Sequence, residues 1–322
     1  MLPSYTTPVS DEAQSVAGWD HPAGDFWSKR LGQLPPQSFF LVSAVFHYLG
    51  PSFAVLLFAQ VDVLGVAWLR ITSAAVVFAL WRRPWRLALR LDWRGRWTLL
   101  ELGAVLAAMN SLFYLAVDRL PLSTVGAIEF LGTVLLAALG ARTRRNAAAL
   151  LLTTCGVATI ADIRLIGQPL GFLFAFGNCA LFLLYVILGH RIANPGSVGA
   201  ASSGGMMSGI DKLGASMLVA AVVVLPIGLG GAGRALSHPV LLLAGAGVGV
   251  CSSVIPYVTD QLAMARLPRA TFALMLALLP LFATIIGAIV LRQFPTFQDL
   301  VGIALVIAGV ALHQVSPRKD IS

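Results

Sequence analysis

Leu115 to Thr124 reads LAVDRLPLST, and Leu262 to Thr271 reads LAMARLPRAT. The two stretches keep Leu, Ala, Arg, Leu, Pro and Thr in matching places, and each joins two long apolar runs. A second echo follows, where Gly156-Val157-Ala158 recurs as Gly309-Val310-Ala311. Matched Arg-Leu-Pro turns between corresponding segments point to two related halves, and chance likeness between apolar runs explains them less well.

The runs around these turns set the solvent. Of 322 residues 58% are hydrophobic and only 11% charged, with a mean hydropathy of +0.85, far from the composition of a water-soluble domain. About 20 apolar residues cross a bilayer as a helix. Such segments are expected over 37–59, 63–81, 98–117, 121–141, 146–163, 169–189, 213–233, 239–261, 269–291 and 297–315. The fold class is therefore an all-α membrane protein of ten transmembrane helices. Connections are short except for the Arg/Trp-rich stretch 82–97 and the Gly/Ser-rich stretch 194–212, where the halves would join. Residues 1–36 are polar and proline-rich and read as a cytoplasmic tail. The repeats span 37–166 and 167–316, and 317–322 form a cytoplasmic C-terminus.

Cytoplasmic loops keep Lys and Arg during insertion, so counting by side gives orientation. With the N-terminus inside, one face collects Arg82, Arg83, Arg86, Arg90, Arg94 and Arg96, together with Arg142, Arg144, Arg145, Arg266 and Arg269. The other face holds Arg119, Arg164, Arg234 and Arg292. Both termini are thus expected inside. Five spans per half is an odd number, so the two repeats run in opposite directions, the Arg119 turn outside and the Arg266 turn inside. Inverted repeats of this kind belong to secondary transporters, in which the halves exchange conformations to open a central site alternately to each side.

The same loop bias accounts for the net charge of +8 without nucleic acid as a partner. Trp81, Trp85, Trp93 and Trp97 fit an interfacial belt around the most basic loop. Cys155, Cys179 and Cys251 lie in apolar runs with no metal-type spacing, so packing is their expected role.

Ionisable groups at bilayer depth need a reason, because each costs about 2.5–3.5 kcal/mol on insertion scales. Glu129, among Ala127, Ile128, Phe130 and Leu131, is the sharpest case and a candidate proton carrier, loading on one side and unloading on the other. A carboxyl held permanently by neighbouring donors is the alternative. Arg70 reads as a counter-charge for a carboxylate, either Glu129 or that of a substrate, since a guanidinium presents a planar fork of donors. Asn110 and Tyr114 stand four residues apart on one helix face, and the repeat matches them to Tyr257 and Gln261. These four are candidate cavity residues, with Asn178, Tyr185 and His47 as weaker ones. Asp260 is a candidate gating or interfacial charge near Arg266.

Gly228-Leu229-Gly230-Gly231-Ala232-Gly233 spells a nucleotide-binding glycine pattern but ends an apolar run instead of joining a strand to a helix. It reads as a helix terminus. No Walker loop or HExxH motif is present, so neither a nucleotide cofactor nor zinc chemistry is indicated, and the chain does not read as an enzyme.

Several stretches are similar to the EamA-type branch of the drug/metabolite transporter superfamily, and within it to the bacterial threonine and homoserine exporters. They are Met109-Asn110-Ser111-Leu112-Phe113-Tyr114-Leu115, Glu129-Phe130, and Ala265-Arg266-Leu267-Pro268-Arg269-Ala270-Thr271-Phe272. Tyr257, Asp260 and Arg70 also resemble that family, and the likeness spans roughly 37–315. It implies proton-coupled export of small amino-acid-like substrates across the inner or plasma membrane by a monomer or homodimer. Leu279 before Pro280, Arg292-Gln293 after that helix, and Thr133 depart from the family pattern, and they leave Glu129 as the only carboxylate deep in the helical core. A different cargo (nucleotide-sugar, cofactor precursor or secondary metabolite) stays open. A membrane-embedded enzyme acting on lipid would need clustered acids, and Asp62, Asp118, Asp162 and Asp299 are scattered.

Overall fold

The structure is a computed structural model, and the residues it describes are 35–86, 91–140, 143–161, 168–193, 205–264, 275 and 278–312. Among them every regular element is helical: α1 Pro36–Leu57, α2 Val63–Arg82, α3 Trp93–Val117, α4 Leu122–Gly140, α5 Arg144–Ala161, α6 Pro169–Ala193, α7 Gly205–Gly231, α8 Gly233–Ser237, α9 Pro239–Gly249, α10 Ile255–Met264, α11 Leu279–Leu291 and α12 Phe297–Leu312. A π-helical turn, Val250–Val254, joins α9 to α10 in one rod. Five stretches are long and apolar enough to cross a membrane: Gln37–Leu57, Val63–Arg82, Trp93–Val117, Ile210–Gly231 and Pro239–Asp260. Shorter apolar helices are Pro169–Tyr185, Leu279–Leu291 and Phe297–Leu312. Outward-facing residues such as Leu80, Val222, Val240, Leu243 and Ile289 are exposed apolar side chains that water would not favour and acyl chains would. This is a multi-pass membrane protein.

Two connections differ from the sequence expectation. The helix expected from 98 begins at Trp93, because Asp92 caps it by accepting from the Gly95 N–H at 2.9 Å. Trp93 and Trp97 therefore stand one turn apart on α3, edge to face with ring centroids 5.4 Å apart. Likewise α7 starts at Gly205, inside the stretch read as a linker, and its first turns are held to α2 by Asp211, which Arg82 meets with two hydrogen bonds of 2.8 and 3.2 Å. The Arg266 turn lies outside the described residues. Its partner turn shows Arg119 donating to Leu115 O at 2.8 Å and to Asp118 at 3.1 Å.

The glycine pattern at 228–233 is indeed a helix end, and it is also a packing surface. α2 and α7 run antiparallel in close contact, with Gly65 against Gly231 and Gly228 against Trp68 and the Leu64 carbonyl. Small residues let membrane helices approach this closely when no hydrophobic drive separates helix from lipid.

The other close seam joins α5 to α12. A Cβ on Gly156 would lie 2.6 Å from the Gly302 carbonyl, and one on Gly302 2.8 Å from the Gly156 carbonyl. Gly309 meets Thr153 and the Ala149 carbonyl. The helices are thus antiparallel, and their ends are tied by matching bonds. Thr143 caps α5 through the Asn146 N–H at 3.1 Å, and Thr296 caps α12 through the Asp299 N–H at 3.2 Å. Arg145 donates to Leu312 O at 2.8 Å at one end, and Gln298 donates to Thr159 O at 2.7 Å at the other. Elsewhere α3 packs on α6 and α7 while the α9–α10 rod packs on α1 and α2, and α4 packs on α6 while α11 packs on α1. Exchanging the segments before and after the middle of the chain leaves these neighbours unchanged.

Candidate functional site

Where α1, α2, α3, α4, α6 and α10 converge, a cavity is lined by His47, Pro51, Arg70, Met109, Asn110, Phe113, Glu129, Asn178, Phe182, Tyr185 and Tyr257. Seven of the residues singled out in the sequence meet here: His47, Arg70, Asn110, Glu129, Asn178, Tyr185 and Tyr257. Tyr114 is fully buried beside them, its ring under the Arg70 guanidinium at 5.3 Å from the centroid, and does not line the cavity. Gln261 follows one turn after Tyr257 on α10, and its side chain lies outside the described residues. Asp260 is half-buried on α10 and stands outside the lining, and Arg266, expected near it, is not among the described residues.

Glu129 sits two turns into α4 and is 6% exposed. Asn178 of α6 donates to its Oε1 at 3.4 Å, while Oε2 has no partner, and neither does the Asn178 Oδ1. An unpaired buried carboxylate oxygen is costly, and this one belongs to a residue of the cavity wall. One turn earlier on α4, Gly126 faces the Tyr48 hydroxyl, where a Cβ would come within 3.1 Å. That hydroxyl is buried without a partner as well.

Arg70 does not pair with Glu129. Among the described residues the ion pairs within 4.0 Å are Arg82–Asp211 and Arg119–Asp118. Arg70 is 6% exposed and spends one edge of its guanidinium on the π-turn: Nε donates to Ser253 Oγ at 3.0 Å and Nη2 to Ser252 O at 3.0 Å. The sequence explains why that carbonyl is available. Pro256, four residues on, has no N–H to return to Ser252 O, so an α-helical ladder through it would leave the carbonyl open. The chain takes a wider π-turn there and gives the oxygen to Arg70. Gly50 of α1 packs directly on the Ser252 backbone, 2.6 Å from its nitrogen to a built Cβ, and Gly249 packs on Ser73 and the Arg70 carbonyl. Close approach on both sides holds the π-turn against α1 and α2.

The remaining wall is Asn110, which donates to Leu106 O at 2.7 Å, His47, which meets Tyr48 edge to face at 5.3 Å, and Tyr257. Sequence reasoning missed Met109, Phe113, Phe182, Tyr48 and the Ser252–Ser253 pair. Phe182 was in reach, since Asn178, Phe182 and Tyr185 follow the spacing of one helix face. Ser252 and Ser253 were not, because their role depends on a backbone carbonyl freed by a distant proline.

This arrangement has relatives. The EamA-like transporter family profile matches residues 170–313. The threonine/homoserine exporter RhtA of Salmonella typhimurium (strain SL1344) is 30% identical over 277 residues, covering 84% of this chain and 88% of that protein. RhtA of Escherichia coli (strain K12) is 29% identical over the same shares. A solved crystal structure of a protein 17% identical aligns with a TM-score of 0.52 over 86% of this chain and 96% of its own, a likeness of fold alone. With a helical membrane body, a cavity that gathers buried ionisable and amide side chains, and 30% identity to an exporter over most of both chains, this protein belongs to the EamA-like transporters of the drug/metabolite transporter superfamily, and it is a transporter, not an enzyme.

Proposed function

We propose that the protein is a proton-coupled exporter of amino acids or related small metabolites in the inner or plasma membrane, and that Glu129 carries the proton. The observation behind the coupling role is the buried Glu129 carboxyl with Oε2 unpartnered in a cavity that α1–α4 share with α6 and α10. A proton taken up there from one side and released to the other, as access alternates, links cargo movement to the proton gradient. Ten spans in two inverted halves, 37–166 and 167–316, with both termini inside, provide the alternation. This topology is supported by the paired caps and end bonds of the α5–α12 seam and by the asymmetry of Lys and Arg between the loops. The cargo class follows the relatives' names. Asn110, Tyr257, Asn178, Tyr185 and His47 contact it, and Tyr114 backs the site.

In vesicles with an imposed pH gradient, Glu129→Gln is expected to abolish gradient-driven movement of L-threonine while the purified variant keeps its elution profile. Full pH-dependent transport by that variant rules the coupling role out.

A further inference from the structure

We infer that Arg70 is the group of the cavity that recognises the carboxylate of the cargo. The inference rests on the amino-acid exporter reading and goes beyond it by assigning the specificity-determining residue.

A guanidinium has two outward edges, each able to donate a pair of parallel hydrogen bonds. In Arg70 the edge formed by Nε and Nη2 is taken by Ser253 Oγ and Ser252 O. The Tyr114 ring lies under the guanidinium, and the side chain lines the cavity. No carboxylate among the described residues comes within ion-pair distance of it. A buried cation in a cavity wall with no carboxylate partner among the described residues is incomplete, and the group that completes it must be anionic, flat and small enough to enter. A carboxylate meets all three requirements. The opposite end of a zwitterion finds acceptors in the same cavity, the unpartnered Glu129 Oε2 and Asn178 Oδ1. Ser252 and Ser253 are positioning residues: they hold the fork through its far edge and need not touch cargo.

The test uses the full chain in vesicles with no proton gradient, so that coupling does not enter. Exchange of labelled L-threonine is measured against unlabelled L-threonine, L-homoserine and L-threoninamide, which lacks the carboxylate. The wild type is expected to prefer the two acids over the amide by on the order of tenfold to a hundredfold, the scale of a charge-assisted bond pair. Arg70→Gln is expected to lose that preference. Arg70→Lys, which keeps the charge but not the fork, recovers part of it. Ser253→Ala is expected to raise the half-saturating concentration several-fold and keep the preference. Melting curves of each variant show that it is folded, and if Arg70→Gln is not, Arg70→Lys and Ser253→Ala carry the test. Equal competition by the amide in the wild type, or an undiminished preference in the Arg70 variants, overturns the inference. Exchange of amides but not acids leaves a transporter and removes the carboxylate, whereas exchange of neither overturns the cargo reading together with it.

Discussion

The α5–α12 seam and the central cavity are both places where the two halves of the chain meet, and they are built on opposite principles. Along the seam each half offers nearly the same residues: a threonine cap, a long donor reaching the other helix's last carbonyls, and a glycine at the crossing. Hydrogen bonds there are satisfied in matching pairs. In the cavity the halves differ. Glu129 has no acidic counterpart, Arg70 is met by serines of a π-turn, and the Glu129 Oε2 and Asn178 Oδ1 atoms stand unpartnered. The comparison teaches that polar groups along the seam are matched to one another and serve packing, whereas the cavity leaves buried polar groups unpaired.

Four experiments break or sharpen that contrast. The largest effect is expected at the seam, where Gly156→Leu drives a side chain into the Gly302 carbonyl, so little folded protein should be recovered by size-exclusion chromatography. Next, Glu129→Gln is expected to cost transport and no stability. Its melting midpoint should equal or exceed the wild type's, because an amide in this pocket is cheaper to bury than a carboxylate with a free oxygen. A melting point well below the wild type's would make Glu129 a structural residue. Smaller still, Arg145→Ala and Gln298→Ala each remove one end bond and should each cost about 1 kcal/mol in chemical denaturation. The two losses should add in the double variant, since they lie at opposite ends of the seam. The smallest effect belongs to Arg82→Ala, which breaks the partly exposed pair with Asp211 and should cost roughly 0.5–1 kcal/mol, less at high salt.

Much of the site was legible before any coordinates. Polar residues in apolar runs are rare enough that each one stood out, and seven of those named converge on one cavity. Two of the acids that looked scattered also acquire ordinary roles. Asp62 accepts from Leu64 N at 3.0 Å and starts α2, and Asp299 accepts from Thr296 N at 2.9 Å and starts α12. Less legible was which polar groups pair. Arg70 and Glu129 were the natural couple by charge, yet they only share a cavity wall, because a backbone carbonyl and a serine hydroxyl reach one side of the guanidinium first.

By itself the sequence determined that the chain lives in lipid, where its helices lie to within a few residues in most cases, and which side chains are out of place in hydrocarbon. Hydropathy and helical periodicity are local properties, and the bilayer makes them decisive, because every buried backbone group must be satisfied within its own helix. Tertiary structure alone decided which orphan groups face one another. It showed that the α5–α12 seam is tied by a hydrogen bond at each end. It also showed that Pro256 frees the carbonyl that holds Arg70. Those facts depend on helix rotation and approach distance, which are set by close packing between segments far apart in the chain and are not encoded in any one of them.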